Sequence, residues 1–109
     1  MPDRERRKQK RVETHLLTAY RVKDGKETVA GFVRTLNLSL VGVMLETFDP
    51  FELEQEVVLD FLMDNNEVLK LRGRVTHISS GDKGIQNVGV VFENLGNQAR
   101  ELLARQIES

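Results

Sequence analysis

Between Glu56 and Ile78 the sequence reads EVVLDFLMDNNEVLKLRGRVTHI, two alternating segments joined by a pair of asparagines. In the first segment, Glu56 to Asp64, apolar residues share one face: Val57, Leu59, Phe61 and Met63. In the second, Val68 to Ile78, one side carries Leu69, Leu71, Val75 and His77, and the other carries Lys70, Arg72 and Arg74. Such alternation is typical of half-buried strands, and asparagine tolerates the left-handed backbone of a tight turn. We therefore predict two strands with a turn at Asn65-Asn66.

The same period of two predicts four further strands, over residues 12–22, 27–36, 43–48 and 88–93. In the first of these, the even-numbered residues from Val12 to Val22 share one face. Asp24-Gly25 follows it and predicts a hairpin, because glycine accepts the positive φ of a tight reversing turn. Gly31 in the next strand predicts a bulge or a close backbone approach. Residues 79–84, SSGDKG, are predicted to be a loop.

The C-terminal segment follows a helical period instead. An apolar stripe with spacing i, i+3, i+4, i+7 and i+8 is formed by Ala99, Leu102, Leu103, Gln106 and Ile107. Asn97 is the predicted N-cap. Six strands followed by one helix predict an all-β fold with one helix, a six-stranded antiparallel β-barrel with a C-terminal α-helix. We expect the helix to close an open end of the barrel, the alternative being a dimer contact.

Composition restricts the classes of protein that this chain can represent. Its 109 residues suffice for one domain, and 39% hydrophobic with 30% charged residues is typical of a soluble globular protein. The absence of cysteine excludes disulfide scaffolds, thiolate metal sites and cysteine nucleophiles. No apolar run reaches the roughly 20 residues of a membrane span, and the N-terminus lacks the apolar segment of a secretory signal. We expect a cytoplasmic protein without membrane insertion.

Positive charge is concentrated in an N-terminal basic arm, residues 1–11. Within it Arg4 to Arg11 reads RERRKQKR and holds six of the chain's sixteen Lys and Arg residues. The arm carries +4 (six basic minus two acidic residues), whereas the remainder carries −5 (ten basic minus fifteen acidic). This asymmetry suggests a flexible arm that meets phosphates or an acidic surface, although a basic terminus by itself would be only a solvated tail. Residues 12–109 are expected to form the barrel and its helix.

The sequence offers little for catalysis. His15 and His77 are the two histidines, and they lie on different predicted strands without the carboxylate arrangement of a metal site or a catalytic pair. None of the spacings of metallopeptidases, serine hydrolases or phosphate-binding loops occurs. The alternating Glu52, Glu54 and Glu56 are read as a solvated face. We expect a protein that is not an enzyme, with no catalytic residue, metal or cofactor.

Two short motifs carry a resemblance to a known family. Arg7-Lys8-Gln9-Lys10-Arg11 is an R-x-x-x-R, and Asn37-Leu38-Ser39-Leu40-Val41-Gly42 is an N-x-S-x-x-G. In this order, around the first strands of a barrel of this size, they resemble the PilZ domain family, whose members bind the bacterial second messenger cyclic di-GMP. Val88 to Phe92 is similar to the strand that usually precedes the family's C-terminal helix. The resemblance covers essentially the whole chain and implies a stand-alone, single-domain member.

The resemblance implies a role for each motif residue. Arg7 and Arg11 would bind phosphate, guanine edge and guanine face, because a guanidinium group is a planar fork that also stacks on purines. Asn37 would hydrogen-bond a guanine and Ser39 would add a hydroxyl contact. Gly42 would allow a tight turn and leave room for the ligand. From the residues alone, Asn37 and Ser39 could equally be local turn formers, Gly42 purely structural, and the arginines solvated charges.

An additional arginine, Arg6, directly precedes the first motif. This resembles family members that take the ligand as an intercalated dimer, so we expect two molecules of cyclic di-GMP per chain. The mechanism we expect is ligand-induced ordering, because a Lys/Arg-rich arm repels itself and buries nothing until a dianion draws it against the barrel. The ordered arm and ligand would then form a surface for an unidentified downstream protein. The chain itself is expected to be a monomer or a weak homodimer.

Two alternative functions stay open. A small β-barrel that binds nucleic acid could use the arm together with the stripe formed by Lys70, Arg72 and Arg74. Against it, the chain has no tryptophan, one tyrosine and no aromatic ladder on which bases could stack. The second alternative is a PilZ-like adaptor that binds only protein, and the intact motifs count against it. We favour the cyclic di-GMP receptor, with nucleic acid as the less favoured partner.

Overall fold

The computed structural model describes residues 11–24 and 26–108, so that Arg6, Arg7 and most of the basic arm, as well as Gly25, lie outside the described residues. The strands are β1 (Val12–Glu13), β2 (Leu17–Asp24), β3 (Glu27–Leu38), β4 (Gly42–Thr47), β5 (Glu56–Leu62), β6 (Val68–Ser80) and β7 (Gln86–Glu93). A short 3-10 turn, Asp82–Gly84, precedes β7, and the helix α1 spans Asn97–Glu108. None of the described helices is long and apolar enough to cross a membrane.

Six of the strands form a closed antiparallel barrel. Neighbouring strands pair in the order β3, β2, β5, β6, β7 and β4, and the pairing of β3 with β4 closes the ring. This confirms the predicted six-stranded barrel. Asp24 lies opposite Glu27 in the β2–β3 pair, which confirms the predicted hairpin.

The strand predicted over residues 12–22 is divided in two. Val12 pairs with Leu38 in β1, whereas Leu17 pairs with Arg34 in β2. Between these two pairings, the three residues 14–16 face the two residues 35–36 of β3. This one-residue mismatch interrupts the ladder of backbone hydrogen bonds. The predicted inward face is kept on both sides of the break, because Val12 packs against the core and Leu16, Thr18, Tyr20 and Val22 are all buried.

The barrel interior is filled by the apolar residues that the alternating sequence pattern assigned to the buried face of each strand. The side chains of Leu59, Phe61 and Val75 are fully buried. Two buried hydroxyl groups, those of Thr18 and Thr35, share a hydrogen bond of 2.7 Å, which satisfies both inside the apolar core. Burial of this core supplies most of the free energy that stabilises the barrel.

Two predictions about β6 are wrong. The register of β6 against β7 shifts between Val75 and His77, so His77 is exposed on the outside and Ile78 takes the inward position. An extra residue at a bulge reverses the alternation of every residue after it. The loop predicted over residues 79–84 also begins later, because β6 continues through Ser80.

Helix α1 closes one end of the barrel, as predicted. Leu103 and Ile107 are buried within the core cluster, and Ala99 and Leu102 pack against it. The amide of Gln106 donates a hydrogen bond of 2.9 Å to Asp64, beside the turn between β5 and β6. The predicted N-cap is displaced by one residue, because the carbonyl of Gly96 accepts the first helical bond from Arg100 and Asn97 already lies in the helix.

The loop of residues 48–55 covers the opposite end. Phe51 is buried there with its ring centroid 5.0 Å from that of Tyr20, and the Tyr20 hydroxyl donates a hydrogen bond of 2.6 Å to Asp49. Gly31 faces this tyrosine, and a Cβ at position 31 would lie 2.9 Å from its ring. Neither alternative predicted for Gly31 is correct, because the β2–β3 register is continuous through it and the atoms that approach it belong to the side chains of Tyr20 and Asp49.

Ionisation of Tyr20 should destabilise the chain at high pH. Burial, together with the hydrogen bond to Asp49 and its negative charge, raises the pKa of Tyr20 from 10.0 to about 12. Over this range the unfolded chain loses the phenol proton while the folded chain keeps it, so the free energy of unfolding falls as the pH rises. We expect a fall of about 2 kcal/mol between pH 10 and pH 12, measured by urea unfolding.

Tyr20→Phe provides the control for this prediction. The variant cannot ionise at this position and loses the bond to Asp49, so it should be about 1–2 kcal/mol less stable at pH 7 but less sensitive to alkaline pH. Because Tyr20 is the one tyrosine of the chain, its phenolate absorbance reports the titration directly. A phenol in the folded chain that titrates at its ordinary value would contradict the prediction.

Candidate ligand-binding site

A β-bulge places Asn37 on the outside of the barrel. Val33 and Thr35 are buried, and unbroken alternation would direct Asn37 inward as well. The register of β3 against β4 shifts between Thr35 and Asn37, after which Asn37 lies opposite Met44 and is half-buried on the outer face. Bulges re-aim side chains in this way, often beside functional sites.

The structure brings Arg11 of the first motif to Asn37 of the second. Strand β1 pairs with the end of β3, with Glu13 opposite Asn37. Arg11 immediately precedes β1 and therefore lies beside the same part of β3. One guanidinium nitrogen of Arg11, Nη1, donates a hydrogen bond of 3.3 Å to Oδ1 of Asn37. Two side chains 26 residues apart in sequence therefore lie in contact at the surface.

Ser39 shapes the turn that follows β3. The gap between the strands predicted over residues 27–36 and 43–48 is shorter in the structure, because Asn37 and Leu38 still belong to β3. The Oγ atom of Ser39 accepts hydrogen bonds of 3.2 Å from the backbone N–H groups of Val41 and Gly42, and it donates one of 3.3 Å to the carbonyl of Gly42. Ser39 is fully buried, so its hydroxyl holds the turn from inside and does not face the outer surface.

Gly42 is required by close packing between two backbones. It opens β4 opposite Val91 of β7, and a Cβ at this position would collide with the carbonyl oxygen of Val90. No side chain fits between the strands without moving one of them. Gly42 thus fixes the end of the turn that begins two residues after Asn37.

Sequence reasoning missed two residues beside Asn37. Met44 lies opposite both Asn37 and Gly89, so that β3, β4 and β7 contribute one residue each to a line across the outer face. Met44 is half-buried and Gly89 is buried. The alternation of β4 and β7 could have assigned both residues to the outer face, but only the register shows that they adjoin Asn37.

The described part of the site has little net charge. Arg11 and Glu13, both exposed, lie beside Asn37 with opposite charges. Arg74 of the predicted basic stripe is already paired, at 3.2 Å from Glu93 and 3.7 Å from Glu56. Among residues 11–24 and 26–108 no group of three or more potential ligands is arranged to hold a metal ion.

Comparison with family models shows that the PilZ domain model matches residues 5–109. Comparison with curated proteins finds no match.

Several solved structures share the fold. The PilZ domain of YcgR from Escherichia coli with c-di-GMP has 19% sequence identity and a TM-score of 0.75, with 94% of this chain and 89% of that chain covered. The PilZ domain of CeSA from a cellulose-synthesizing bacterium has 19% identity and a TM-score of 0.67, with 91% and 95% covered. The inhibitor of motility MotI/DgrA of Bacillus subtilis has 11% identity and a TM-score of 0.72, with 92% of this chain covered. The match spans only 48% of the MotI/DgrA chain, and at these identities the likeness shows the fold alone.

Proposed function

The chain belongs to the PilZ domain family, and on this basis we propose that it is a receptor for cyclic di-GMP, not an enzyme. The observation that carries the proposal is the hydrogen bond of 3.3 Å between Arg11 and Asn37, which joins the two motifs on one face. The structure of the related YcgR domain contains the same ligand, which supports this choice of nucleotide.

Each motif residue is given a role, and for those that the structure describes the role is one that the position permits. Arg11 and Arg7 bind phosphate and the guanine edge with planar, charge-assisted hydrogen bonds, and they stack on the guanine face. Asn37 lies at the surface with an amide that both donates to and accepts from a guanine. Ser39 and Gly42 act through the turn that fixes the end of β3, so the hydroxyl contact expected of Ser39 is replaced by an indirect role.

The charge balance supports a role for the arm. Arg11 and Glu13 offset each other beside Asn37, and Arg74 is occupied by two carboxylates. The described barrel surface therefore offers little net positive charge to a dianion. Phosphate binding then depends on the arm, residues 1–11, whose other basic residues lie close to Arg11 in sequence. Binding draws the arm onto the barrel of residues 12–109, and the ordering reduces the affinity but creates a new surface for a downstream protein.

Arg6 extends this proposal to two ligands. A further guanidinium group offsets more phosphate charge and offers another plane for stacking, as an intercalated dimer of cyclic di-GMP requires. The chain then binds two ligand molecules, with Arg6, Arg7 and Arg11 all in contact with them.

The alternatives have less support. A nucleic-acid surface needs unpaired positive charge along a track, but Arg74 is ion-paired and Lys70 lies opposite Asp60. An adaptor that binds only protein has no need of the Arg11–Asn37 contact.

Limited trypsin digestion tests the receptor and its stoichiometry together. The arm contains six basic residues at which trypsin can cut. We expect cyclic di-GMP to slow cleavage in the arm at least ~10-fold, because bound chain is cut only when the arm is released. At a chain concentration far above the dissociation constant, protection should saturate near two ligands per chain.

Lys83 provides the internal control, because it is exposed in the 3-10 turn that precedes β7 and its cleavage should not change. Equal cleavage of the arm with and without ligand would contradict ligand-induced ordering, and saturation near one ligand per chain would contradict the dimer. Protection by an RNA oligonucleotide but not by cyclic di-GMP would favour the nucleic-acid alternative.

A further inference from the structure

A shallow apolar groove lies on the outer face of β2, β3 and the end of β4, and it has a volume of about 340 Å³. Of the described motif residues, neither Arg11 nor Asn37 lines it. Exposed apolar side chains and one pair of opposite charges line the groove: Leu17, Phe32 and Phe48, with Arg34 and Glu46. The groove is therefore a surface that the ligand site does not use.

Two phenylalanines of the groove are exposed to an unusual degree. Phe32 is 71% exposed and Phe48 is 75% exposed, whereas Phe51 and Phe61 are buried in the core. Together the two rings present roughly 300 Å² of apolar surface. Apolar patches of a few hundred Å² on a folded chain are often functional, because contact with water is unfavourable for them and a partner removes that contact.

The groove has the same plan on either side of a line between β3 and β4. Arg34 of β3 lies opposite Glu46 of β4. The two strands are antiparallel, so Phe32, two residues before Arg34, lies beside Phe48, two residues after Glu46. Each side of the line therefore contributes one phenyl ring and one charge at matching positions, and the two charges are opposite.

This arrangement is complementary to itself. A two-fold axis along the line, in the plane of a contact, would lay the β3 side of one copy on the β4 side of another. Arg34 would face Glu46 of the partner subunit, and Phe32 would face Phe48 of the partner subunit, with each pair formed twice. Within one copy Arg34 and Glu46 are 3.7 Å apart and the Arg34 side chain is 63% exposed, so its guanidinium group can reach a second carboxylate.

From these observations we propose that the groove is the contact surface of a symmetric homodimer and that its occupant is a second copy of this chain. Because Arg34 and Glu46 offset each other, the groove offers no net charge to attract an acidic protein or an anionic lipid surface, whereas a second copy matches both charges. The groove is small, so the total buried area should lie below the ~1,200 Å² of standard interfaces and the association is weak. The inference does not depend on cyclic di-GMP.

Sedimentation velocity of the chain without ligand tests the dimer. The unmodified chain should pass from monomer at about 5 µM to mostly dimer at about 500 µM. Phe32→Ser changes the contact in both copies and should weaken self-association at least ~10-fold. Val68→Ser is the matched control, because Val68 is 63% exposed at the start of β6, outside the groove, and its loss should leave the dimer unchanged.

Charge reversal tests the two-fold axis. Arg34→Glu and Glu46→Arg each place two like charges in the groove, so each variant alone should stay monomeric at about 500 µM. In an equimolar mixture every facing pair is again opposite in charge, and the two variants should associate with each other as strongly as the unmodified chain does with itself. Because Phe32 and Arg34 are exposed, thermal unfolding of these variants should stay close to that of the unmodified chain.

The outcomes leave the proposal right or wrong. A dimer that Phe32→Ser weakens, that Val68→Ser keeps and that the mixture restores would support it. Unmodified chain that stays monomeric at about 500 µM, a dimer that Phe32→Ser does not weaken, or a mixture that stays monomeric would overturn it. Monomeric chain that instead binds phosphatidylcholine–phosphatidylglycerol vesicles through Phe32 would also overturn it and would assign the groove to a membrane surface.

Discussion

Gly42→Ala is expected to lower the stability of the chain by about 3 kcal/mol, a large part of what a domain of this size possesses. The new Cβ would collide with the carbonyl oxygen of Val90, a backbone atom that cannot rotate away. Relief requires β4 to move from β7, which disturbs the pairing of Gly42 with Val91 and the bonds from Ser39 that hold the turn. The midpoint of thermal unfolding should fall by about 10–20 °C.

Gly96→Ala is the matched control for this substitution. Gly96 lies just before α1, and a Cβ there would have no neighbour within 4 Å. We expect less than about 1 kcal/mol of change, since only the preference for glycine over alanine at a helix cap is involved. Equal melting temperatures for the two variants would show that the close approach of β4 to β7 is not needed.

Arg11→Ala is expected to weaken cyclic di-GMP binding by about 100-fold while leaving the barrel intact. The guanidinium group offers charge-assisted hydrogen bonds, each with a net contribution of roughly 1.5–3 kcal/mol, and a plane that stacks on guanine. Arg11 is exposed, and its hydrogen bond to Asn37 is long at 3.3 Å, so its removal should alter the free energy of unfolding by less than about 0.5 kcal/mol. Calorimetry and urea unfolding of the same preparation measure the two effects.

Arg105→Ala controls for the loss of one positive charge. Arg105 lies on the exposed side of α1, where it pairs with Glu101 at 3.1 Å. Its removal changes the net charge equally but should leave binding within about twofold, because an exposed charge away from the site acts only through a screened field. A similar loss of affinity in both variants would reduce the role of Arg11 to general electrostatic attraction.

Alternation predicted the barrel well because one face of each strand is buried. Val57, Leu59, Phe61 and Met63 were assigned to the interior from their spacing alone, and all four are buried. The apolar stripe of α1 likewise predicted that Leu103 and Ile107 cover one end.

The errors occur where one residue is added to a strand. A bulge at Thr76 sends His77 outward, and the mismatch between Glu13 and Leu17 divides the first predicted strand. A weak signal was present, because Val75 and Ile78 are three apart and period two cannot bury both. The sequence does not show which of residues 76 and 77 is the extra, unpaired residue of the bulge, since that depends on the pairing with the partner strand.

The site was predicted from motifs and could not have been found by periodicity. Arg11 and Asn37 are 26 residues apart, and their contact depends on β1 pairing with the end of β3. The hydroxyl contact expected of Ser39 came from the family resemblance alone, and the structure adds that this hydroxyl accepts hydrogen bonds from the backbone N–H groups of Val41 and Gly42. Local hydrogen bonds of this kind are the common role of serine in turns.

Calorimetric titration of cyclic di-GMP into the unmodified chain, with an RNA oligonucleotide as competitor, tests the receptor function most directly. We predict saturable binding at micromolar or lower concentration that the RNA does not displace and that Arg11→Ala reduces by about 100-fold. No binding of cyclic di-GMP at micromolar chain concentration would contradict the account.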